Sequence, residues 1–164
     1  METPKDNRMA ALVNLYDWQT TFFKSVLEGI SDADAHKRLD TPANHVAWLG
    51  GSLVGQRYEL VNELTGSSHK QQADELFKGN QGIKEGVTYP SLEQYRADWE
   101  KISPIAREAL VNATTKKLDS ILKMPGMEMP LYDYVLFTIY REANCIGQIA
   151  LWRRLLGYEA MKYM

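Results

Sequence analysis

The chain has 164 residues, of which 45% are hydrophobic, 24% charged and 10% aromatic, a make-up that excludes disorder and suits one core with an ordinary solvated surface. Nineteen basic and twenty-one acidic residues leave a formal charge of -2 and no basic stripe to displace counterions from a phosphate backbone, so nucleic acid is not an expected partner. A single cysteine rules out an intramolecular disulfide, the start METPKDNRMA is too polar for a signal peptide, and no apolar run reaches spanning length; a cytoplasmic protein without membrane attachment is expected.

From Lys5 to Leu27, the positions Met9, Leu12, Val13, Tyr16, Phe23, Val26 and Leu27 recur at helical spacing, with Trp18 and Phe22 widening the stripe, and predict the first core helix. Ser31 offers an N-cap to a short helical turn over Asp32 to Arg38, whose first-turn acids suit the helix dipole. Asp40, Thr41 and Pro42 form a connector. A second long helix is predicted from Ala43 or Asn44 to about Leu64, with Val46, Leu49, Leu53, Leu60 and Leu64 on its buried side. Gly50 and Gly51 lie inside it, and each weakens a helix by up to about 1 kcal/mol relative to alanine, so a packing neighbour or a ligand is expected to come close there.

Residues 65–90 are polar and carry four glycines, with one helical turn expected near Gln71 to Phe77. So long a connection in a small fold crosses over it or lids a site. Ser91 and Gln94 read as a capping box opening a third helix to about Asn112, which Pro104 should kink or divide near Ser103. Lys116 to Met124 reads as a short helical turn, and MPGMEMP leads into the last long stretch, Leu131 to Tyr158. Pro130 suits the first helical position of that stretch, and Gly157 the left-handed residue past its end. Within it Arg141, Cys145, Gln148 and Trp152 follow at i+4, i+3 and i+4 and share a face. Four long helices with a long crossover connection between helices 2 and 3 predict an all-α four-helix bundle, a single domain over residues 1–164.

NHVAWLGGSLVGQRYEL in the second helix and YREANCIGQIALWRRLLGYEAMKYM at the end resemble the DinB-like proteins, the DinB/YfiT superfamily. The most specific pieces are AWLxG, GQIAxxRRLLG and the closing MKY, and the resemblance covers nearly the whole chain. It implies the DinB-like (YfiT-like) bundle and a homodimer. It also brings expectations about chemistry: members typically hold nickel or zinc on three histidines, and some are thiol-dependent transferases or isomerases working with low-molecular-weight thiols. Carried onto this chain, the second-helix histidine falls on Ser52 and the fourth-helix pair on Arg141 and Cys145. All three are replaced. Serine is a poor ligand for such metals, arginine offers no lone pair, and Cys145 alone does not make a site that needs three donors. The resemblance therefore implies a lost metal site, no metal or other cofactor, and no metal-dependent catalysis.

His45, seven residues before Ser52, could join Cys145 in a relocated site or simply cap its helix, while His36 and His69 fall in surface connections. A guanidinium now reaches the place where relatives keep a dication, and its fork suits carboxylate or phosphate. One expectation is a pocket between the second and fourth helices in which Arg141 holds a small anionic molecule, with Ser52, Gln56 and Gln148 as hydrogen-bonding neighbours and Cys145 on the wall. The other is that Arg141 pairs internally with a glutamate such as Glu59, because an unpaired buried charge costs on the order of several kcal/mol. Cys145 could become a nucleophile if Arg141 lowered its pKa, but no base is evident, and a lone core cysteine also serves as a small hydrophobe. No catalytic residue is assigned. Three function classes follow: an anion-binding protein, a thiol-dependent transferase or isomerase, and a structural or dimerisation module with a closed pocket.

Overall fold

In the computed structural model, which describes residues 3–163, the chain runs through α1 (Met9–Leu27), α2 (Asp32–Ala35), α3 (Val46–Thr65) and α4 (Asp74–Phe77), the last followed by a 3-10 turn over Lys78–Asn80. It continues through α5 (Leu92–Asn112), α6 (Thr115–Leu118), a hairpin of β1 (Ile121–Met124) and β2 (Met127–Pro130), and α7 (Leu131–Leu155). The architecture is mostly helical, with one short two-stranded sheet among the described residues. No helix among them is long and apolar enough to cross a membrane.

Side-chain caps set where several helices begin. Ser31 Oγ accepts from the Asp34 N–H, Ser91 Oγ from the Gln94 N–H, and His45 Nδ1 from the Trp48 N–H. His45 has extended backbone angles, so α3 starts at Val46 and not at Ala43 or Asn44. Gly157, at φ 87°, ends the last helix in the left-handed conformation, with Tyr158 N–H on the Arg153 carbonyl.

Two expectations about the third and fourth segments need correction. α5 runs uninterrupted across Pro104. The carbonyl that the missing N–H would have used belongs to Glu100, an exposed residue where water can replace the bond. The helical reading of Lys116 to Met124 holds only as far as Leu118; residues 121–124 instead pair antiparallel with 127–130. Pro125 and Gly126, the latter at φ 78°, supply the turn, and four-residue strands are too short for alternation to stand out.

The buried hydrophobic side chains form one cluster. α1 packs mainly against α5 and α7, and α3 against the same two. α1 and α3 thus meet across the middle, where Arg57 on α3 reaches Tyr16 and Thr20 on α1. The connection between α3 and α5 folds back over α3 and is pinned there: Gln71 Nε2 donates to the Gly51 carbonyl at 3.2 Å, and the Gln72 N–H to Asp98 Oδ2 at 3.0 Å. Glycine lets it approach. A Cβ on Gly51 would lie 2.2 Å from the Phe77 ring and 2.6 Å from Tyr95 Oη, and one on Gly55 would lie 2.6 Å from Gln71 Nε2. The neighbour expected at the helix glycines is this connection, together with Tyr95 of α5 beside Gly50.

Candidate functional site

Two arginines reach into the space between α3 and α7, and the sequence pattern singles out only Arg141. A third, Arg153, is buried near the end of α7 and donates to the Val26, Glu28 and Glu159 carbonyls. Arg57 is wholly buried at the centre of the four long helices. Its Nε and Nη2 donate to the two carboxylate oxygens of Glu142 on α7 at 2.7 and 2.9 Å, a bidentate pair between two side chains that are each 0% exposed. Nη1 donates to Tyr16 Oη, Thr20 Oγ1 and Ser103 Oγ at 2.8–2.9 Å. The guanidinium carbon sits 3.4 Å from the Trp99 ring centre and 4.0 Å from that of Tyr16, so the cation packs against two aromatic rings.

Each hydroxyl around Arg57 also spends its own proton inside the fold. Tyr16 donates to the Ser103 carbonyl, Thr20 to the Tyr16 carbonyl and Ser103 to the Trp99 carbonyl. Burial pushes the Tyr16 phenol up to about 12, with Arg57 opposing only in part. The group therefore stays a neutral hydrogen-bonding link. This is a satisfied network that meets a surface depression only at Tyr16, Thr20 and Ser103, and its chemistry is to lock four helices together.

Arg141 is in a different situation. Ser52 and Gln56 stand one turn apart on α3, and both accept from Arg141 on α7: Ser52 Oγ from Nη2 at 2.7 Å and Gln56 Oε1 from Nη1 at 2.6 Å. These neutral oxygens orient the fork but do not neutralise it. The internal ion pair with Glu59 is not formed: among the described residues no carboxylate comes within ion-pair distance of Arg141. Half-buried, Arg141 borders a cavity of about 270 Å³ that Ser52, Gln56 and Glu59 also line.

Aromatic side chains make the rest of the cavity wall. Trp48 comes from α3, Tyr134 and Phe137 from α7, and Phe77 from α4, whose following turn adds Asn80 and Gln81. The connection between α3 and α5 is thus one wall of the site, which is why the glycines at 51 and 55 matter to it. Desolvation raises the Glu59 carboxyl above its ordinary value, Arg141 opposes this, and Asp74 and Glu63 add to the rise. The Tyr134 phenol is likewise raised, by burial first and then by Glu59 and Glu63.

The structure therefore brings Ser52, Gln56, Glu59 and Arg141 together and leaves the other candidates outside. Cys145 is buried in the core and does not line the cavity. Burial pushes its thiol up, with Arg141 pulling down and Glu142 adding to the rise, so the reactive thiolate is disfavoured. Gln148 is exposed and donates to Asn144; seven residues beyond Arg141, it stands roughly 10 Å further along the rod, past the end of the cavity. His45 serves as the cap of α3, packed edge-on to Tyr89. The two ring nitrogens of His36 lie beside the Asp32 and Tyr89 carbonyls, at 2.6 and 3.0 Å.

The residues at Ser52, Arg141 and Cys145 do not fit a divalent metal. Arginine has no lone pair to give, the serine hydroxyl is already held by that arginine, and the thiol is buried and protonated. Among the described residues no group of three His, Cys, Asp or Glu side chains is placed to hold an ion. No family model matches the sequence, and no curated protein matches it.

Proposed function

We propose that this chain is a DinB-like four-helix bundle, with a long crossover between its second and third long helices, in which the histidine triad of the family has given way to a binding pocket for a small anion. The observation that carries the reading is Arg141. Its guanidinium is aimed by Ser52 and Gln56, faces a cavity, and has no carboxylate partner among the described residues. A half-buried cation left in that state is stabilised by a carboxylate or phosphate taken from solution. A thiol-dependent reaction has less support, because Cys145 is outside the cavity and its pKa is raised.

Calorimetric titration of small carboxylates and phosphates into the protein tests the proposal. Binding is expected and should be lost in Arg141→Gln. Binding that persists in that variant, or none to any anion, refutes it. Replacing Ser52, Arg141 and Cys145 together by histidine should create affinity for nickel or zinc if the family register is right; a folded triple variant that binds neither ion rejects the register.

A second reading, a homodimer, is favoured by a separate observation. Leu136, Tyr140, Leu151 and Leu155 are exposed large side chains at helical spacing on α7. Sedimentation should report a dimer that Leu151→Glu dissociates, and a monomeric wild-type protein would dismiss it.

A further inference from the structure

Resting on the anion-binding reading above, we infer that the occupant of the cavity is a small zwitterion whose carboxylate meets Arg141 and whose ammonium end lies between Glu59 and the aromatic walls. The cavity carries one charge of each sign, and they do not neutralise each other by direct contact: Arg141 is spent on Ser52 and Gln56 without forming an ion pair with Glu59. A plain carboxylate would satisfy Arg141 and leave Glu59 facing a second negative group. A molecule with both charges satisfies both ends.

The surroundings of the two ends differ in the same sense. Glu59 feels Asp74 and Glu63 as further negative charges, and the Tyr134 phenol feels Glu59 and Glu63. Arg141 is the one cation that registers on Glu59 and acts on it more strongly than either acid, so Asp74 and Glu63 add negative charge there only as secondary contributions. Tyr134, whose phenol feels Glu59, and Phe137, between Tyr134 and Arg141 on α7, line the space toward Glu59, and the faces of such rings attract onium groups. At about 270 Å³ the space falls just under the roughly 300 Å³ at which drug-sized sites begin. It therefore admits a compact metabolite with a short spacer between its charged groups.

Titration calorimetry on the full chain with isosteric pairs isolates the role of the positive charge. The first pair is glycine betaine and 3,3-dimethylbutyrate, and the second is γ-butyrobetaine and 5,5-dimethylhexanoate; within each pair only the quaternary nitrogen is exchanged for carbon. In at least one pair the zwitterion should bind about tenfold more tightly or better. Glu59→Gln should shrink that margin severalfold while 3,3-dimethylbutyrate or 5,5-dimethylhexanoate binds as well as before or better. Carbon isosteres that bind as tightly as the zwitterions, or a margin unchanged in Glu59→Gln, overturn this inference and leave the anion reading standing. No binding by any of the four compounds overturns this inference, and the anion reading falls with it only when phosphates and the other small carboxylates fail to bind as well.

Discussion

Arg57 and Arg141 lie on different helices, and both reach across the space between α3 and α7, yet they end in opposite circumstances. Arg57 finds a carboxylate, three hydroxyls and two aromatic rings, all inside the protein and all satisfied. Arg141 finds two neutral oxygens and a cavity. Burying a cation is tolerable when the fold supplies the counter-charge, and where it supplies only hydrogen-bond acceptors the charge remains available to a ligand. The first arrangement serves stability and the second serves binding.

The sharpest test of the contrast is Glu142→Ala, which strands Arg57 with no counter-charge at zero exposure. It should destabilise the fold by roughly 3–5 kcal/mol, seen as a lowered urea midpoint. Replacing both partners at once, by Arg57→Met with Glu142→Leu, should recover most of that loss, and a double variant as unstable as the single one would show that the hydroxyls and rings, not the ion pair, hold the centre.

Acid probes the cavity end. The His45 ring nitrogen caps α3 at Trp48, a wall residue, and burial with His36 nearby lowers the His45 pKa to about 4. A histidine depressed in the folded state favours its neutral form there. Its contribution is therefore complete above the unfolded value near 6.5 and is lost as the pH falls toward 4. The loss should reach on the order of 2–3 kcal/mol. His45→Asn, which keeps a capping oxygen without titrating in that window, should flatten this part of the acid limb in parallel urea unfolding series at pH 7 and pH 4.5. Identical slopes in the two proteins would refute the capping role.

Gly51→Ala sets a Cβ against Phe77 and Tyr95. It should cost about 1–3 kcal/mol from overpacking and reduce anion affinity by moving the wall made by the α3–α5 connection; full stability with full affinity would mean that Phe77 has room to move without reshaping the site. The smallest expected effect on stability comes from Arg141→Gln, within about 1 kcal/mol, because no buried carboxylate is stranded. A loss as large as that of Glu142→Ala would erase the distinction between the two arginines.

Arg57 was readable in principle. It falls at i+4 from Leu53 and i-3 from Leu60, squarely on the buried stripe of α3, and Glu142 stands at i+3 from Ile139 and i-4 from Ile146 in the same way on α7. Opposite charges at core positions of two helices are a pairing signal. The polar positions Ser52, Gln56 and Arg141 mark the half-buried site instead, and Gln148 on the same face of α7 lies outside it because the cavity ends at the turn of Arg141. The hairpin at 121–130 was hidden for another reason, since its turn was legible in Pro125 and Gly126 but its strands are only four residues each.

Periodicity, caps and breakers in the sequence determined the long helices and placed their ends to within a few residues, because those signals act between residues three or four apart. They also put Ser52 and Gln56 on one face of α3. Which carboxylate would meet which arginine was decided only in three dimensions, by how deeply each helix face sinks into the core. Glu142 and Arg57 were turned inward to each other, while Glu59 was left at the edge of a cavity and Arg141 without a counter-charge. Charge pairing depends on distances between helices that lie far apart in the chain, and no local pattern encodes those distances.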